Sequence, residues 1–223
     1  MEIIFSETCR HYFVSRSPPT TWWSWRKPRS EPLPPRFTLP PGAWQKLLCQ
    51  VNIPAPARKW NDLVLKILHK ALPLGYKLKH TDRTLDKCPS CGTPNETHEH
   101  LFLTCPQAVL LRTQSDLLLG RLHLPPSAPE SLATLLLPSA AHGSKNSRKK
   151  KAALEHVIIR GALYALWTHR CNLAFKQPSD ACHLYRSLLR EQASALAITP
   201  GFHHFSLLEP LLSPLSRTDE LFQ

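Results

Sequence analysis

Five side chains in eighteen residues constrain this chain more than anything else in it. They are Cys88, Cys91, His98, His100 and Cys105, in the stretch CPSCGTPNETHEHLFLTC. The Cys88-x-x-Cys91 spacing lets two thiolates reach one ion from a single tight turn. Pro89 fixes φ there and Gly92 accepts a positive φ. The pair His100-x4-Cys105 completes a Cys3His set, the donor set of a closed, structural Zn2+ site. Bonds of about 2.3 Å to sulfur and about 2.0 Å to nitrogen require a chain folded back on itself. His98 competes for the fourth position. His100 is preferred because it leads directly into the apolar Leu101-Phe102-Leu103, which leaves His98 solvated or as a donor outside the ligand set.

Other chemistries fit the spacing less well. A disulfide leaves an odd thiol and does not explain the histidines. A redox dithiol of thioredoxin type belongs after a strand in a βαβ unit, and no such pattern surrounds Cys88. His98-Glu99-His100 is not the His-Glu-x-x-His of a zincin. In a zinc deaminase the His-x-Glu precedes Pro-Cys-x-x-Cys, whereas here the order is reversed and the proline falls inside the pair. Four protein ligands leave no position for water, so the metal is expected to do no catalysis. A nuclease using His98 or His100 with Glu99 is the enzyme alternative.

The 223 residues suffice for one core with a small satellite. Lys and Arg number 28 against 16 acids, a net charge of +12, which points to a polyanionic partner, nucleic acid first. A generally basic surface or a membrane-binding basic face is the plainer alternative. Seven cysteines, an odd count with three in the cluster, suit a reducing compartment; Cys9, Cys49, Cys171 and Cys182 read as plain thiols. No apolar run approaches the roughly 18 residues of a membrane span. The start, MEIIFSETCR, is acidic with too short an apolar run for a signal peptide, so the expected location is nucleus or cytoplasm.

In chain order, residues 1–56 read as a proline-rich arm, in which Trp22, Trp23, Trp25, Arg26, Lys27 and Arg29 either stack on bases or pack on protein. Residues 57–120 form the zinc-binding module. Its first helix starts near Ala57 with Trp60, Leu63, Val64, Ile67, Leu68 and Ala71 on one face, and Pro73 and Gly75 end it. A small hairpin is possible at the metal turn. A second helix runs from Pro106 to about Leu119, with Val109, Leu110, Leu117 and Leu118 as its apolar face and Gly120 as its stop. Residues 121–151 are a loop ending in the cationic run Lys145, Arg148, Lys149, Lys150 and Lys151. Residues 152–200 form a helical hairpin that packs on the module. Its first helix, about 152–175, is the expected central core helix, with a stripe of Ala153, Val157, Gly161, Tyr164, Trp167, Cys171 and Phe175 widened by Leu154, Ile158, Ala162 and Ala165. Ser179 or Asp180 caps the second. Residues 201–223 are a tail. The expected architecture is mainly α: a helical bundle with one Cys3His zinc knuckle and a proline-rich N-terminal arm.

Trp60 through Cys105 resembles the zinc-binding domain of non-LTR, LINE-type retrotransposon reverse transcriptases. The matching residues are Leu68, His69, Ala71, Leu72, Pro73 and Leu78, then Cys88, Pro89, Cys91, Gly92, Glu96, Thr97, His100, Leu101, Phe102 and Cys105. The family's downstream Trp-x-x-Arg-Asn-x-x-x-Phe is similar to Trp167, Arg170 and Phe175, with Cys171 in place of the asparagine. In that family the module lies C-terminal to the polymerase and helps hold template RNA or target DNA. The resemblance implies a non-catalytic nucleic-acid-binding module that works with a reverse transcriptase polymerase domain encoded elsewhere or lost. Consistently, the six aspartates are scattered singly and the chain has no Asp-Asp for a polymerase palm. Phosphate contacts are expected from Lys66, Lys70, Lys77, Lys79, Arg83 and Lys87 around the metal, and from the run Lys145, Arg148, Lys149, Lys150 and Lys151. The alternative function is a zinc-stabilised helical protein-interaction domain with no nucleic-acid role.

Overall fold

Apolar residues recur every three to four positions along most of the chain between 58 and 198, and that periodicity builds helices packed on one another. The computed structural model describes residues 58–78, 86–126, 129, 131–136 and 145–198, with backbone alone for 133 and 145–150. The expected arm, the tail, Lys79 and Arg83 lie outside the described residues. In order come α1 (Arg58–Leu68), α2 (Gly75–Leu78), a π-helical turn (His100–Thr104), α3 (Pro106–Arg121), α4 (Leu132–Leu136), α5 (Lys145–Ala174) and α6 (Ala181–Ala197). The described residues are mainly helical and contain no strand. No helix among them is long and apolar enough to cross a membrane.

The 30-residue α5 is the axis, with α1, α3 and α6 packed on it. From Ala153 to Cys171 it is buried all round, apart from half-buried Tyr164 and Trp167. Leu154, Ile158, Ala162 and Ala165, expected to widen the stripe, are buried with it, whereas Phe175, placed in that stripe, is 48% exposed. The helix also begins earlier than expected: the cationic run 145–151 forms its first two turns rather than a loop. Enclosure on all sides draws polar groups into the core. Burial, with Arg160 nearby, pushes His156 down to about 3, so its ring is neutral. Arg160 donates to Asn61 Oδ1 on α1. Trp60, fully buried, stacks on Tyr164 with ring centroids 6.2 Å apart.

A buried hydroxyl pair ties α3 to α6: Ser115 Oγ lies 2.9 Å from Tyr185 Oη and also donates to Leu111 O at 2.8 Å. Tyr185 Oη also lies 3.2 Å from Ile158 O of α5, so the two hydroxyl protons serve two of these three contacts at a time. This contact turns α3 away from the expected orientation. Its inner face is Ala108, Leu111, Gln114, Ser115, Leu118 and Leu119, while Val109, Leu110 and Leu117 stand outside at 42%, 44% and 45% exposure. Of the expected apolar face Leu118 alone is buried; the inner face takes Leu111 and Leu119 instead, together with the polar Gln114 and Ser115.

Helix ends also differ from expectation. α1 stops at Leu68, before Pro73 and Gly75, and Ala71 is exposed. Lys70 takes the left-handed conformation (φ 48°), its N–H bonds Ile67 O at 2.9 Å, and the Ala71 N–H bonds Lys66 O at 2.7 Å. That is the double closure of a Schellman motif. α3 ends the same way at His123 (φ 54°), so Gly120 lies within the helix. α5 repeats the closure at Lys176 (φ 57°). Glycine would serve at each position without the steric cost of about 1 kcal/mol. α6 starts as expected: Asp180 accepts from the N–H groups of Cys182 (2.8 Å) and His183 (3.3 Å). Asp180→Ala should therefore cost about 1 kcal/mol in urea denaturation, with the rest of the fold unchanged.

Candidate metal centre

Cys88 and Cys91 sit on a turn closed by two backbone bonds, Cys88 N to Thr93 O and Gly92 N to Cys88 O, both 2.8 Å. Gly92 has φ +75°, the positive value the turn requires. The return arm is fixed by Glu96 N to Asp86 O at 3.1 Å. The chain then enters the π-helical turn, closed by Cys105 N to His100 O at 2.7 Å. This turn solves a geometric problem. Five residues along an α-helix rotate a side chain through about 1.4 turns, leaving positions i and i+5 roughly 140° apart. An i to i+5 closure widens the turn and brings His100 and Cys105 toward one side. Thr97 Oγ1 accepts from the His100 N–H at 3.0 Å and holds its start.

The outcome is a group of four. One ligand atom from each of Cys88, Cys91, His100 and Cys105 lies within 4.8 Å of every other. Ligands about 2.3 Å from a central ion sit about 3.8 Å apart at the corners of a tetrahedron, so a small contraction would seat an ion. Cys91 Sγ and His100 Nε2 are already 3.2 Å apart, and His100 Nδ1 lies 3.4 Å from Thr104 Oγ1, which turns Nε2 inward. Cys88 and Cys105 are buried and Cys91 is exposed. The two buried sulfurs are hydrogen-bonded to each other. Their mutual hydrogen bond pulls Cys105 below, and lifts Cys88 above, the ordinary thiol range. A cation at the centre would relieve that conflict, since thiolates are its ligands. The donor set and its spacing fit a metal ion.

His98 stands apart from the four. It is fully buried rather than solvated, and neither ring nitrogen has a hydrogen-bond partner among the described residues, so it is not a donor to the ligands either. Its ring meets the Tyr76 ring edge-on at 5.9 Å. Desolvation, then Lys77, pushes it down to about 4, which keeps it neutral. Glu99 is exposed and pairs with Lys70 at 3.3 Å. Partial burial would raise its carboxyl, but its own backbone N–H and Lys70 hold it below the usual range.

Of the cations expected to meet phosphate, Lys66, Lys77 and Lys87 are exposed and Lys70 is half-buried. Lys70 and Lys77 are brought together, since Lys77 Nζ donates to Lys70 O. Lys145, Arg148, Lys149 and Lys150 lie on the first turns of α5, where the backbone alone is described, and Lys151 is half-buried.

Residue spacing alone did not single out the groups behind the loop. Glu96, wholly buried, accepts from Arg170 through Nε (3.1 and 3.2 Å) and Nη2 (2.7 Å), and from the Gly75 N–H at 3.0 Å. Arg170 is raised above its usual value: burial opposes this, and the bond to Glu96 outweighs it. The neighbouring His169 places Nε2 3.4 Å from Ser90 Oγ, within the Cys-x-x-Cys turn. The available signal was a carboxylate inside a loop otherwise built to hold a cation. Set against family models, curated proteins and solved structures, the chain matches none.

Proposed function

We propose that the chain is a zinc-binding, nucleic-acid-binding module, with Zn2+ held by Cys88, Cys91, His100 and Cys105. The observation that carries this reading is the convergence of three thiols and one imidazole within 4.8 Å. That donor set favours zinc over harder cations, and four protein ligands favour a structural ion over a catalytic one. When bound, the ion supplies cross-linking between the turn and the start of α3. The nucleic-acid part draws on the net charge of +12 and on the resemblance to the C-terminal region of retrotransposon reverse transcriptases. In that reading the module holds RNA or DNA, mainly through phosphates, for a polymerase domain encoded elsewhere or lost. It works inside the cell, in nucleus or cytoplasm.

Elemental analysis of the purified chain should give one zinc per molecule. Binding to RNA or DNA at about 50 mM salt should weaken by about a thousandfold at 200 mM if six phosphates are engaged. Absence of binding at the lower salt would refute the nucleic-acid role and leave the metal site standing. One observation favours the alternative, a zinc-stabilised protein-interaction domain: Val109, Leu110 and Leu117 are exposed along one side of α3. Nucleic-acid affinity indifferent to salt, with a protein partner lost on Leu110→Glu, would select it.

A further inference from the structure

α5 touches both arms of the metal loop with two adjacent residues. His169 reaches Ser90, which lies between the cysteines of the first pair. Arg170 grips Glu96 on the return arm with a two-pronged contact, and Glu96 in turn accepts from the Gly75 N–H ahead of the loop. Both contacts are remote in sequence, 79 and 74 residues apart. Arg170 is 6% exposed and Glu96 0%, so their pair is shielded from salt and solvent.

Residues 91–95 of the loop are exposed, and the segment ahead of the loop holds it further: Tyr76 N–H to Glu96 O at 3.2 Å and Lys70 to Glu99 at 3.3 Å. A Cys3His set around a divalent ion carries a net charge of about −1. Arg170 is the cation built into the wall next to it, close enough to feel the Cys88 sulfur.

We infer that Arg170 and His169 of α5, acting through Glu96 and Ser90, are positioning residues of the metal centre, so that the loop binds its ion tightly only while α5 is docked behind it. This rests on the zinc reading above. Groups that orient ligands from outside the ligand set typically change metal affinity by about 10- to 100-fold. The coupling is reciprocal: if docked α5 tightens the ion, the ion tightens the docking of α5.

The test uses the full chain, stripped of metal and titrated with Co2+, whose absorption reports thiolate ligation and its geometry; zinc affinity is read by competition with a chelator. Arg170→Gln should lower zinc affinity by about 10- to 100-fold and alter the cobalt spectrum. Arg170→Lys should recover only part of that loss, because a single ammonium cannot reproduce the two-pronged contact. Ser115→Ala, a destabilising change at the α3–α6 contact, should leave affinity and spectrum as they are. If Arg170→Gln fails to fold, Ser90→Ala and hydrogen exchange of the wild type decide. Metal removal should then expose the amides of 167–171 to exchange, and Ser90→Ala should weaken zinc several-fold. Unchanged affinity and spectrum in the folded variants, or full protection of 167–171 in the metal-stripped chain, overturns this inference alone. A wild type that takes up no cobalt overturns the zinc reading itself.

Discussion

Replacing Cys105 with serine, or stripping the metal with a chelator, is expected to unfold the segment from Asp86 to the first turn of α3. Cys105 is wholly buried, donates its N–H to close the π-helical turn and immediately precedes α3. Structural zinc contributes about 10–16 kcal/mol of apparent binding energy in small zinc domains, comparable with the whole 5–15 kcal/mol stability of a typical domain. Here the bundle has its own core, so the loss falls first on the loop and on the stretch of α5 docked behind it. A loss of only about 4 kcal/mol would lower Tm by about 8–16 °C for a chain of this size. Acid should act in the same way, because protons compete for the thiolates that bind the ion. Thermal unfolding followed by circular dichroism, with and without chelator, checks this. Superimposable curves would contradict it.

Gly75→Ala is expected to be the most damaging single-methyl change in the described residues. A Cβ at position 75 would lie 2.4 Å from Asp86 O, 2.8 Å from Asp86 C and 3.0 Å from Glu96 Cβ. The first two are backbone atoms and cannot rotate away. Moving Asp86 would break its carbonyl's bond to Glu96 N, and moving Gly75 would break its N–H bond to Glu96 Oε2. Overpacking of this kind costs about 3 kcal/mol, more where backbone must shift. Because Asp86 precedes Cys88 by two residues, zinc affinity should fall with stability. An unfolding free energy in urea within about 0.5 kcal/mol of wild type would show that α2 does not bear on the loop as described.

The metal cluster was readable because ligand type and spacing are local properties of eighteen residues. The core of α1, from Trp60 to Leu68, was readable for the same reason: its apolar period is undisturbed by polar demands. α3 was not. Its inner face includes Gln114 and Ser115, and what draws Ser115 inward is Tyr185, 70 residues away. The ends of α5 and α6 fell within a residue of expectation, but the residues that reverse the chain did not show: Lys70, His123 and Lys176 take the left-handed conformation, while Gly120 lies inside a helix. Glu96 and Arg170 stood out in sequence only as separate matching positions of a resemblance, 74 residues apart. Only the packing of α5 against the loop makes them a buried pair.

The wide turn at 100–104 has a bearing on how far this segment can vary in length. It serves two masters: its closure sets the side on which Cys105 emerges, and Cys105 leads without a linker into α3. Removing one residue there would restore ordinary helical winding and swing everything downstream by about 100°. Leu111 and Leu118 would leave the interior as Cys105 left the other three donors of the cluster. The interval between histidine and cysteine is therefore locked to the orientation of the following helix, and neither can drift without the other.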